Sequence, residues 1–316
     1  MTLTFSDGSK TAFLFPGQGA QVVGMGLDLH KRSKAGRAVF EEVDNALGRS
    51  ISKILFEGPE SELKETVNAQ PGIMAVSLAC VEAMKENIEA DRLPSPFLIA
   101  GHSLGEYTAL AAAGVLSITD AALLVQKRGE LMQNACDSNP GTMAAILGLD
   151  EMSLEEIALE SGTFVSNINT QEQIVISGEK MSIARAMDMA SARGAKKVIP
   201  LRVGGAFHSG LMEPAKAGLI RAVNDVEFRE PNVPIIANCT GQPLTNSGEI
   251  RKELISQISG CVQWKRTIDF MIRSGVVNFL EIGPGRALGG MVKRIDRGAN
   301  ISSISDLDSI LALSRI

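Results

Sequence analysis

Four short apolar runs rich in β-forming residues recur along this chain of 316 residues, and long stretches with helical spacing separate them. They cover residues 11–15, 97–100, 234–237 and 276–282. Strands that alternate with helices predict an α/β layer with a mainly parallel sheet, since a helix usually makes the crossover between parallel strands. The length lies near the limit for a single hydrophobic core, so we expect one large unit and one smaller unit.

The middle of the chain shows a different order of elements. An apolar run at residues 143–149 precedes a helical segment, two strand-like runs, a second helical segment and a last strand that ends near residue 201. The order βαββαβ is that of the ferredoxin-like unit. We therefore predict a small ferredoxin-like subdomain at residues 136–205, inserted into a larger α/β subdomain formed by residues 1–135 and 206–316.

Composition excludes several classes of protein. The net charge is −5 and only 4% of the residues are aromatic, which argues against a nucleic-acid partner. The four cysteines form no CxxC pair, so we expect reduced thiols and neither a metal site nor a disulfide framework. Residues 1–10 lack the pattern of a signal peptide, and the most apolar stretch, residues 97–116, contains His102, Glu106 and turn-forming glycines. These features predict a cytoplasmic protein without a membrane span.

The sharpest local motif is a G-x-S-x-G sequence at residues 101–105. A predicted strand precedes it and an alanine-rich helical segment follows it, which is the context of a nucleophile elbow. In such an elbow Ser103 projects at a helix N-terminus, where backbone N–H groups favour a developing oxyanion. The alternative is an ordinary glycine-rich turn in which the serine only caps the helix.

A serine nucleophile needs a base, and the chain has three histidines. His102 lies inside the elbow, where its side chain should point away from Ser103, and His30 lies in a polar helical stretch. His208 follows the proposed insertion in a glycine-rich segment and is therefore the candidate base. Alone, a histidine in such a loop would more often be structural.

Arg128 lies on the apolar stripe of its predicted helix. A buried guanidinium needs either a protein carboxylate or an anionic ligand, and both possibilities stay open here. Near the N-terminus, the loop at residues 15–21 does not match G-x-G-x-x-G. It could present the backbone N–H of Gln18 to an oxyanion, or it could be a tight turn without function.

Taken together, these motifs resemble the malonyl-CoA:acyl-carrier-protein transacylase family. The resemblance extends to Gln257, to the sequence VQW at residues 262–264 and to EIGPG at residues 281–285, in family order over nearly the whole chain. It implies an α/β-hydrolase-like large subdomain and a two-step transfer of malonyl from malonyl-CoA to the phosphopantetheine thiol of acyl carrier protein. No cofactor would be bound permanently, because the partner carries the phosphopantetheine.

The resemblance also implies roles for individual residues. Ser103 would be the nucleophile and His208 the base, with an oxyanion hole from the backbone N–H groups of Gln18 and Leu104. The backbone carbonyl of Gln257 would orient the imidazole without an acidic third member.

Further roles implied by the resemblance concern the substrate and the carrier. Arg128 would pair with the malonyl carboxylate, and Phe207 would exclude a methyl branch on the acyl group. Lys196 and Lys197 resemble positions that meet the acidic carrier protein, although a solvated charge pair is an equal alternative. The chain lacks prolines that the family often has in the loop at residues 169–173 and before Val262, which concerns loop shape more than chemistry.

Three other functions compete with transfer for fatty-acid synthesis. A discrete acyltransferase that serves a polyketide synthase would use the same chemistry. A serine hydrolase or thioesterase would share the elbow and the base but would need no arginine, and an inactive carrier-binding module would have lost Ser103, His208 or Arg128. We expect a monomer by default, and residues 302–316 are interpreted as a weakly amphipathic helix.

Overall fold

The computed structural model describes residues 9–313, which form two β-sheets surrounded by helices. The strands are β1 Lys10–Phe15, β2 Leu98–Gly101, β3 Gly141–Leu147, β4 Phe164–Thr170, β5 Gln173–Glu179, β6 Lys197–Pro200, β7 Ile235–Ile236, β8 Pro243–Leu244, β9 Val276–Ile282 and β10 Asn300–Ile304. The helices are α1 Leu27–Arg32, α2 Lys34–Leu47, α3 Ile51–Glu57, α4 Glu60–Lys64, α5 Thr66–Asn87, α6 Leu104–Ala112, α7 Ile118–Ser138, α8 Glu151–Ser161, α9 Lys180–Ala192, α10 Glu213–Asn224, α11 Ser247–Gln257, α12 Trp264–Arg273, α13 Ala287–Ile295 and α14 Leu307–Leu313, and Gly210–Met212 forms a 3₁₀ turn.

The larger sheet has the order β10-β9-β1-β2-β7-β8. Every neighbouring pair is parallel except β7 and β8, which are antiparallel. All four predicted apolar runs contribute strands to this sheet. Strands of a parallel sheet are buried on both faces and therefore contain mostly apolar residues. The loops after β1, β2 and β7 meet at the carboxyl edge of the sheet, which is where open α/β sheets place their binding sites.

The smaller sheet has the order β4-β5-β3-β6, and each neighbouring pair is antiparallel. Both α8 and α9 pack on this sheet around a core of isoleucine, leucine and alanine side chains. The order of elements and of strands is that of the ferredoxin-like unit, so this part of the prediction is confirmed.

The chain enters and leaves the smaller sheet at neighbouring points. A Cβ atom built on Gly141 would lie 2.6 Å from the Cβ atom of Ala206. A segment whose ends meet can be inserted into a larger unit without disturbing it. We therefore propose the division into a subdomain at residues 136–205 and a larger one at residues 1–135 and 206–316.

Backbone hydrogen bonds join the edge of the smaller sheet to the larger unit. The N–H of Ile168 donates to the carbonyl of Val262, and the N–H of Val262 donates to the carbonyl of Ser166, both at 2.9 Å. The loop that begins with Cys261 thus adds a short parallel bridge beside β4. The contact holds residues 166–168 of β4 against this loop of the larger unit.

One helix begins earlier than its sequence suggests. Pro71 and the preceding glutamine indicate a helix that starts near residue 71, whereas α5 starts at Thr66 and contains the proline. Proline lacks the N–H that would bond to the carbonyl of Val67, four residues before it. The guanidinium of Arg49 donates to this carbonyl at 2.8 Å, so the carbonyl keeps a hydrogen-bond partner although the helix contains Pro71.

Two other local predictions need correction. Thr119 and Asp120 are expected to cap the next long helix, but the cap of α7 is Ser117, whose hydroxyl accepts from the N–H of Asp120. Residues 302–316 are expected to be helical, but residues 300–304 form β10 and only 307–313 are helical. Pairing with β9 decides the conformation of this segment, and residues 314–316 lie outside the described part.

The sequence also predicts that the protein has no signal peptide, no membrane span and no disulfide bonds. Residues 1–8, which hold most of the segment judged not to be a signal peptide, lie outside the described residues. Within residues 9–313 no helix is long and apolar enough to cross a membrane. All four cysteines are free.

Candidate active site

The G-x-S-x-G motif forms a sharp turn between β2 and α6. Ser103 has φ 52° and ψ −107°, a backbone conformation that residues other than glycine rarely adopt. The two glycines are required by close packing, since a Cβ on Gly101 would collide with the backbone of Gly105, and one on Gly105 would collide with the carbonyl of Phe15. The turn leaves the Ser103 side chain partly exposed at the first turn of α6.

His208 lies against Ser103, although 105 positions separate the two residues. Its Nε2 is 2.7 Å from Ser103 Oγ, and its Nδ1 is 2.9 Å from the carbonyl of Gln257 and 3.1 Å from that of Gly260. Carbonyl oxygens only accept, so Nδ1 carries the proton and Nε2 is free to accept from the serine hydroxyl. Two backbone carbonyls therefore orient the base, and within residues 9–313 no carboxylate forms a hydrogen bond with it.

Both members of this pair have strained backbones. Within residues 9–313, Ser103 and His208, with φ 55°, are the only residues other than glycine with positive φ. Strain of this kind costs free energy and persists where the surrounding structure imposes it, often at functional sites. The fold holds the two side chains together against local backbone preference.

The environment of His208 favours its neutral form. Burial and then the positive charge of Arg128 lower the pKa of His208 to about 3, although the bonds to the carbonyls of Gln257 and Gly260 oppose this shift. A smaller lowering contribution comes from His102. The imidazole is therefore an unprotonated base at neutral pH.

This electrostatic arrangement makes a prediction about pH. Because the pKa of His208 is lowered, its base form is present from weakly acidic to neutral pH, and the reactivity of Ser103 should stay constant from about pH 8 down to about pH 5. The measurement is the rate of sulfonylation by phenylmethanesulfonyl fluoride, a neutral reagent with no titrating group in this range. The acid limb should move to higher pH in Arg128→Met, and a wild-type midpoint near the ordinary histidine value would contradict the expectation.

Arg128 is buried beside the nucleophile. Its Nη1 donates to Gln70 Oε1 at 2.8 Å, and its Nη2 donates to Gln257 Oε1 at 3.0 Å and to Ser103 Oγ at 3.1 Å. The guanidinium carbon lies 5.2 Å from the ring centre of Tyr107. No carboxylate in the described part of the chain forms an ion pair with it, so the internal salt bridge considered above is wrong. The Arg128 side chain, whose residue is only 1% exposed, thus donates its hydrogen bonds to neutral oxygens.

Two backbone N–H groups near the elbow have no acceptor within residues 9–313. Leu104 is the first residue of α6, and Gln18 lies in the loop after β1. Within residues 9–313 neither N–H donates a hydrogen bond. The side chain of Gln18 donates to Thr66 Oγ1 at 3.3 Å, which helps to fix its loop. Free N–H groups close to a nucleophile are suited to an oxyanion.

Sequence reasoning missed three polar residues that hold this arrangement together. Asn238, which follows β7, accepts from the N–H of Ser103 at 2.7 Å and donates to the carbonyl of Gly101 at 2.8 Å. Gln70 binds Arg128, and Glu106 binds Gln257 and Asn238. A polar residue directly after a buried parallel strand was the available signal for Asn238. No local pattern marks the other two.

The remaining residues predicted from the sequence differ in burial and in their contacts. Phe207 precedes His208 and is buried in the main core. Lys196 is exposed and forms an ion pair with Glu172 at 2.9 Å, and Lys197 is exposed on β6. His102 forms no hydrogen bond with Ser103, and its Nε2 lies 2.9 Å from Asn169 Oδ1.

Known proteins share this architecture. A family described as the acyl transferase domain matches residues 12–301. The chain belongs to the acyl transferase family. This acyl transferase is 41% identical over 307 residues to the malonyl CoA-acyl carrier protein transacylase of Bacillus subtilis (strain 168), a match that covers 96% of this chain and 95% of that protein.

Two solved structures are similar over their whole length. The acyl-carrier-protein-S-malonyltransferase from Bartonella henselae has a TM-score of 0.92 at 41% identity, covering 97% of this chain and 98% of that one. A malonyl-transacylase in complex with a type II polyketide synthase acyl-carrier protein has a TM-score of 0.92 at 37% identity, covering 98% and 100%. The acyl transferase therefore has the two-subdomain α/β fold predicted from its sequence.

Proposed function

We propose that this acyl transferase moves the malonyl group from malonyl-CoA to the phosphopantetheine thiol of acyl carrier protein, supplying fatty-acid synthesis. The relatives named above carry this activity in their names. The observation that carries the proposal for this chain is the buried Arg128, which lies beside the nucleophile and forms no ion pair with a carboxylate of residues 9–313.

The spacing between Arg128 and Ser103 favours a particular acyl group. Nη2 lies 3.1 Å from Oγ, so an anion paired with the guanidinium must lie within a few bonds of the carbonyl under attack. A malonyl group has one methylene between its thioester carbonyl and its carboxylate, and this short span fits. A longer diacid would place its carboxylate beyond the guanidinium, and a neutral acyl group would leave the cation unpaired in a dry site.

The first half-reaction uses groups that already contact one another. Ser103 Oγ attacks the thioester carbonyl while its proton passes to His208 Nε2, and the N–H groups of Gln18 and Leu104 bind the oxyanion. The carbon–sulfur bond then breaks, and coenzyme A leaves as a thiol with the proton from Nε2. In the second half-reaction the carrier thiol gives its proton to His208 Nε2 while its sulfur attacks the ester carbonyl. The bond between the carbonyl carbon and Ser103 Oγ then breaks, and Oγ takes the proton back from Nε2.

The proposed reaction requires an acyl carrier protein as the partner of this enzyme. A malonyl-transacylase similar to this chain was solved in complex with an acyl-carrier protein, which supports such a partner here. Lys197 and, once released from Glu172, Lys196 would meet the acidic surface of the carrier. We propose that the enzyme acts as a cytoplasmic monomer and needs no permanent cofactor.

A transfer assay tests the proposal directly. Purified enzyme, malonyl-CoA and phosphopantetheinylated carrier are mixed, and the masses of the carrier and of free malonate are followed together. We expect malonyl-carrier to accumulate, and a carrier without phosphopantetheine should gain nothing. Release of free malonate at the same rate with or without carrier would instead establish a hydrolase.

Acyl selectivity gives a separate prediction. Phe207 is buried and precedes the base in the chain, and we expect its ring to limit the space beside the α-carbon of the acyl group. In Phe207→Ser we expect the ratio of kcat/KM for methylmalonyl-CoA over malonyl-CoA to rise by about 10-fold or more, a size typical for one methyl group in a pocket. Competition between the two thioesters, followed by mass spectrometry, measures it, and an unchanged ratio would remove Phe207 from this role.

A further inference from the structure

Glu106 is a fully buried carboxyl three residues after the nucleophile, and no step described so far uses it. Its Oε1 accepts from the N–H of Asn238 at 2.9 Å, and its Oε2 accepts from Gln257 Nε2 at 2.7 Å. Burial and then the nearby Glu253 raise the pKa of Glu106 well above its usual value, while these bonds oppose the rise. Burial of a carboxyl group costs free energy, so we expect this group to fill a role at its position.

The bonds of Glu106 fix the direction of the Gln257 amide. Gln257 Nε2 donates both to Glu106 and, at 2.7 Å, to the carbonyl of Ser103. A carbonyl can only accept, so the nitrogen must face these two oxygens, and Oε1 is left facing Arg128 Nη2 at 3.0 Å. If the amide turned over, its nitrogen would meet the guanidinium donor to donor.

We propose that Glu106 is a positioning residue for recognition of the acyl carboxylate, which it serves by holding the Gln257 amide so that its oxygen fixes Arg128. This inference rests on the proposed function. A carboxylate in direct contact with Arg128 would compete with the substrate anion. Glu106 acts through a neutral amide instead, so the guanidinium is held on one side and its charge stays available to the malonyl group.

The substitution Glu106→Gln tests this role with little change of shape. The new amide can accept from only one of the two donors, so either Gln257 turns over or a buried donor loses its partner. We expect kcat/KM for malonyl-CoA to fall by about 10- to 100-fold, the effect of one buried polar group left unsatisfied. Sulfonylation of Ser103 by phenylmethanesulfonyl fluoride should change little, because this neutral reagent needs the Ser103–His208 pair but not Arg128.

The matched control is Glu253→Gln, the same substitution at the neighbouring buried carboxyl. Glu253 accepts from the N–H of Cys239 and makes no hydrogen bond to Gln257, and a glutamine keeps an oxygen for that bond. We expect both rates to remain near those of the wild type. If Glu106→Gln fails to fold, Glu106→Asp withdraws the carboxyl from Gln257 and should lower the malonyl rate selectively.

The two rates together separate the possible outcomes. A selective loss of malonyl transfer supports the role of Glu106. A parallel loss of both rates would show that Glu106 only stabilises the elbow, and no loss would show that it does not act on Arg128; either result overturns the inference. A wild-type enzyme that is sulfonylated but never malonylated would refute the proposed function itself.

Discussion

Ser103→Ala should abolish formation of the malonyl-enzyme and lower the rate of malonyl transfer by on the order of 10⁴- to 10⁶-fold, as for loss of the nucleophile in other serine enzymes. The reason is geometric. Its hydroxyl is hydrogen-bonded to His208 Nε2 and accepts from Arg128 Nη2, so it meets both the base and the proposed anion site. Production of malonyl-carrier, measured by mass spectrometry, gives the rate.

Thr108→Val serves as the control for this substitution. Thr108 lies in the same helix, is fully buried, and its hydroxyl has no hydrogen-bond partner in the described part of the chain. Removing that hydroxyl should leave transfer intact. A Ser103→Ala enzyme that still takes up malonyl from malonyl-CoA would place the nucleophile at another residue.

Arg128→Ala should cause the second large effect, a loss of about 2–5 kcal/mol of transition-state binding for malonyl-CoA, as for removal of one partner of a desolvated charge pair. This corresponds to a fall in kcat/KM of about 30- to 4,000-fold. The neutral sulfonylating reagent should react as fast as with the wild type near neutral pH. Arg128→Lys should recover only part of the loss, because an ammonium lacks the planar fork that holds a carboxylate at two points.

The contrast between charged and neutral substrates decides the role of Arg128. Its guanidinium also contacts Ser103 Oγ, so a purely structural role would lower both reactions together. Equal losses for malonyl-CoA and for acetyl-CoA, or for the sulfonyl fluoride, would therefore refute pairing with the malonyl carboxylate. Steady-state kinetics with the three reagents gives the answer.

The three residues to which we assign the chemistry could be singled out from the sequence for different reasons. Ser103 lies between glycines that only a tight strand-to-helix turn requires, and His208 was the one histidine in a suitable context. Arg128 was conspicuous because a charged residue occupied an apolar stripe. Each signal depends on local spacing. In the structure the side chains of His208 and Arg128 both lie within hydrogen-bond distance of the Ser103 hydroxyl.

The residues that support the site could not be predicted in this way. Glu106 bonds to Asn238 and to the side-chain amide of Gln257, at positions more than 130 apart in the chain, whereas the resemblance implied a role only for the backbone carbonyl of Gln257. Nothing in the sequence around a buried glutamate tells which amide it will meet. The positive φ of Ser103 and His208 is likewise imposed by tertiary packing and opposes local preference.

The fold shows the same limit. The smaller sheet was predicted element by element, because its strands and helices alternate over short and regular distances. The start of α5 was missed because Arg49, which is distant in sequence, replaces the donor that Pro71 lacks. The strand β10 was missed because pairing with β9 outweighs a helical pattern that continues only in α14.

The most direct test of the account is the mass of the intact enzyme after brief mixing with malonyl-CoA, followed by addition of phosphopantetheinylated carrier. Acetyl-CoA and methylmalonyl-CoA serve as parallel samples, and digestion locates the adduct. We predict one malonyl group on Ser103 that persists in water and moves to the carrier when it is added, with little adduct from the other two thioesters. An adduct that water removes before the carrier arrives, or the absence of any adduct, would contradict the assignment of a malonyl transferase.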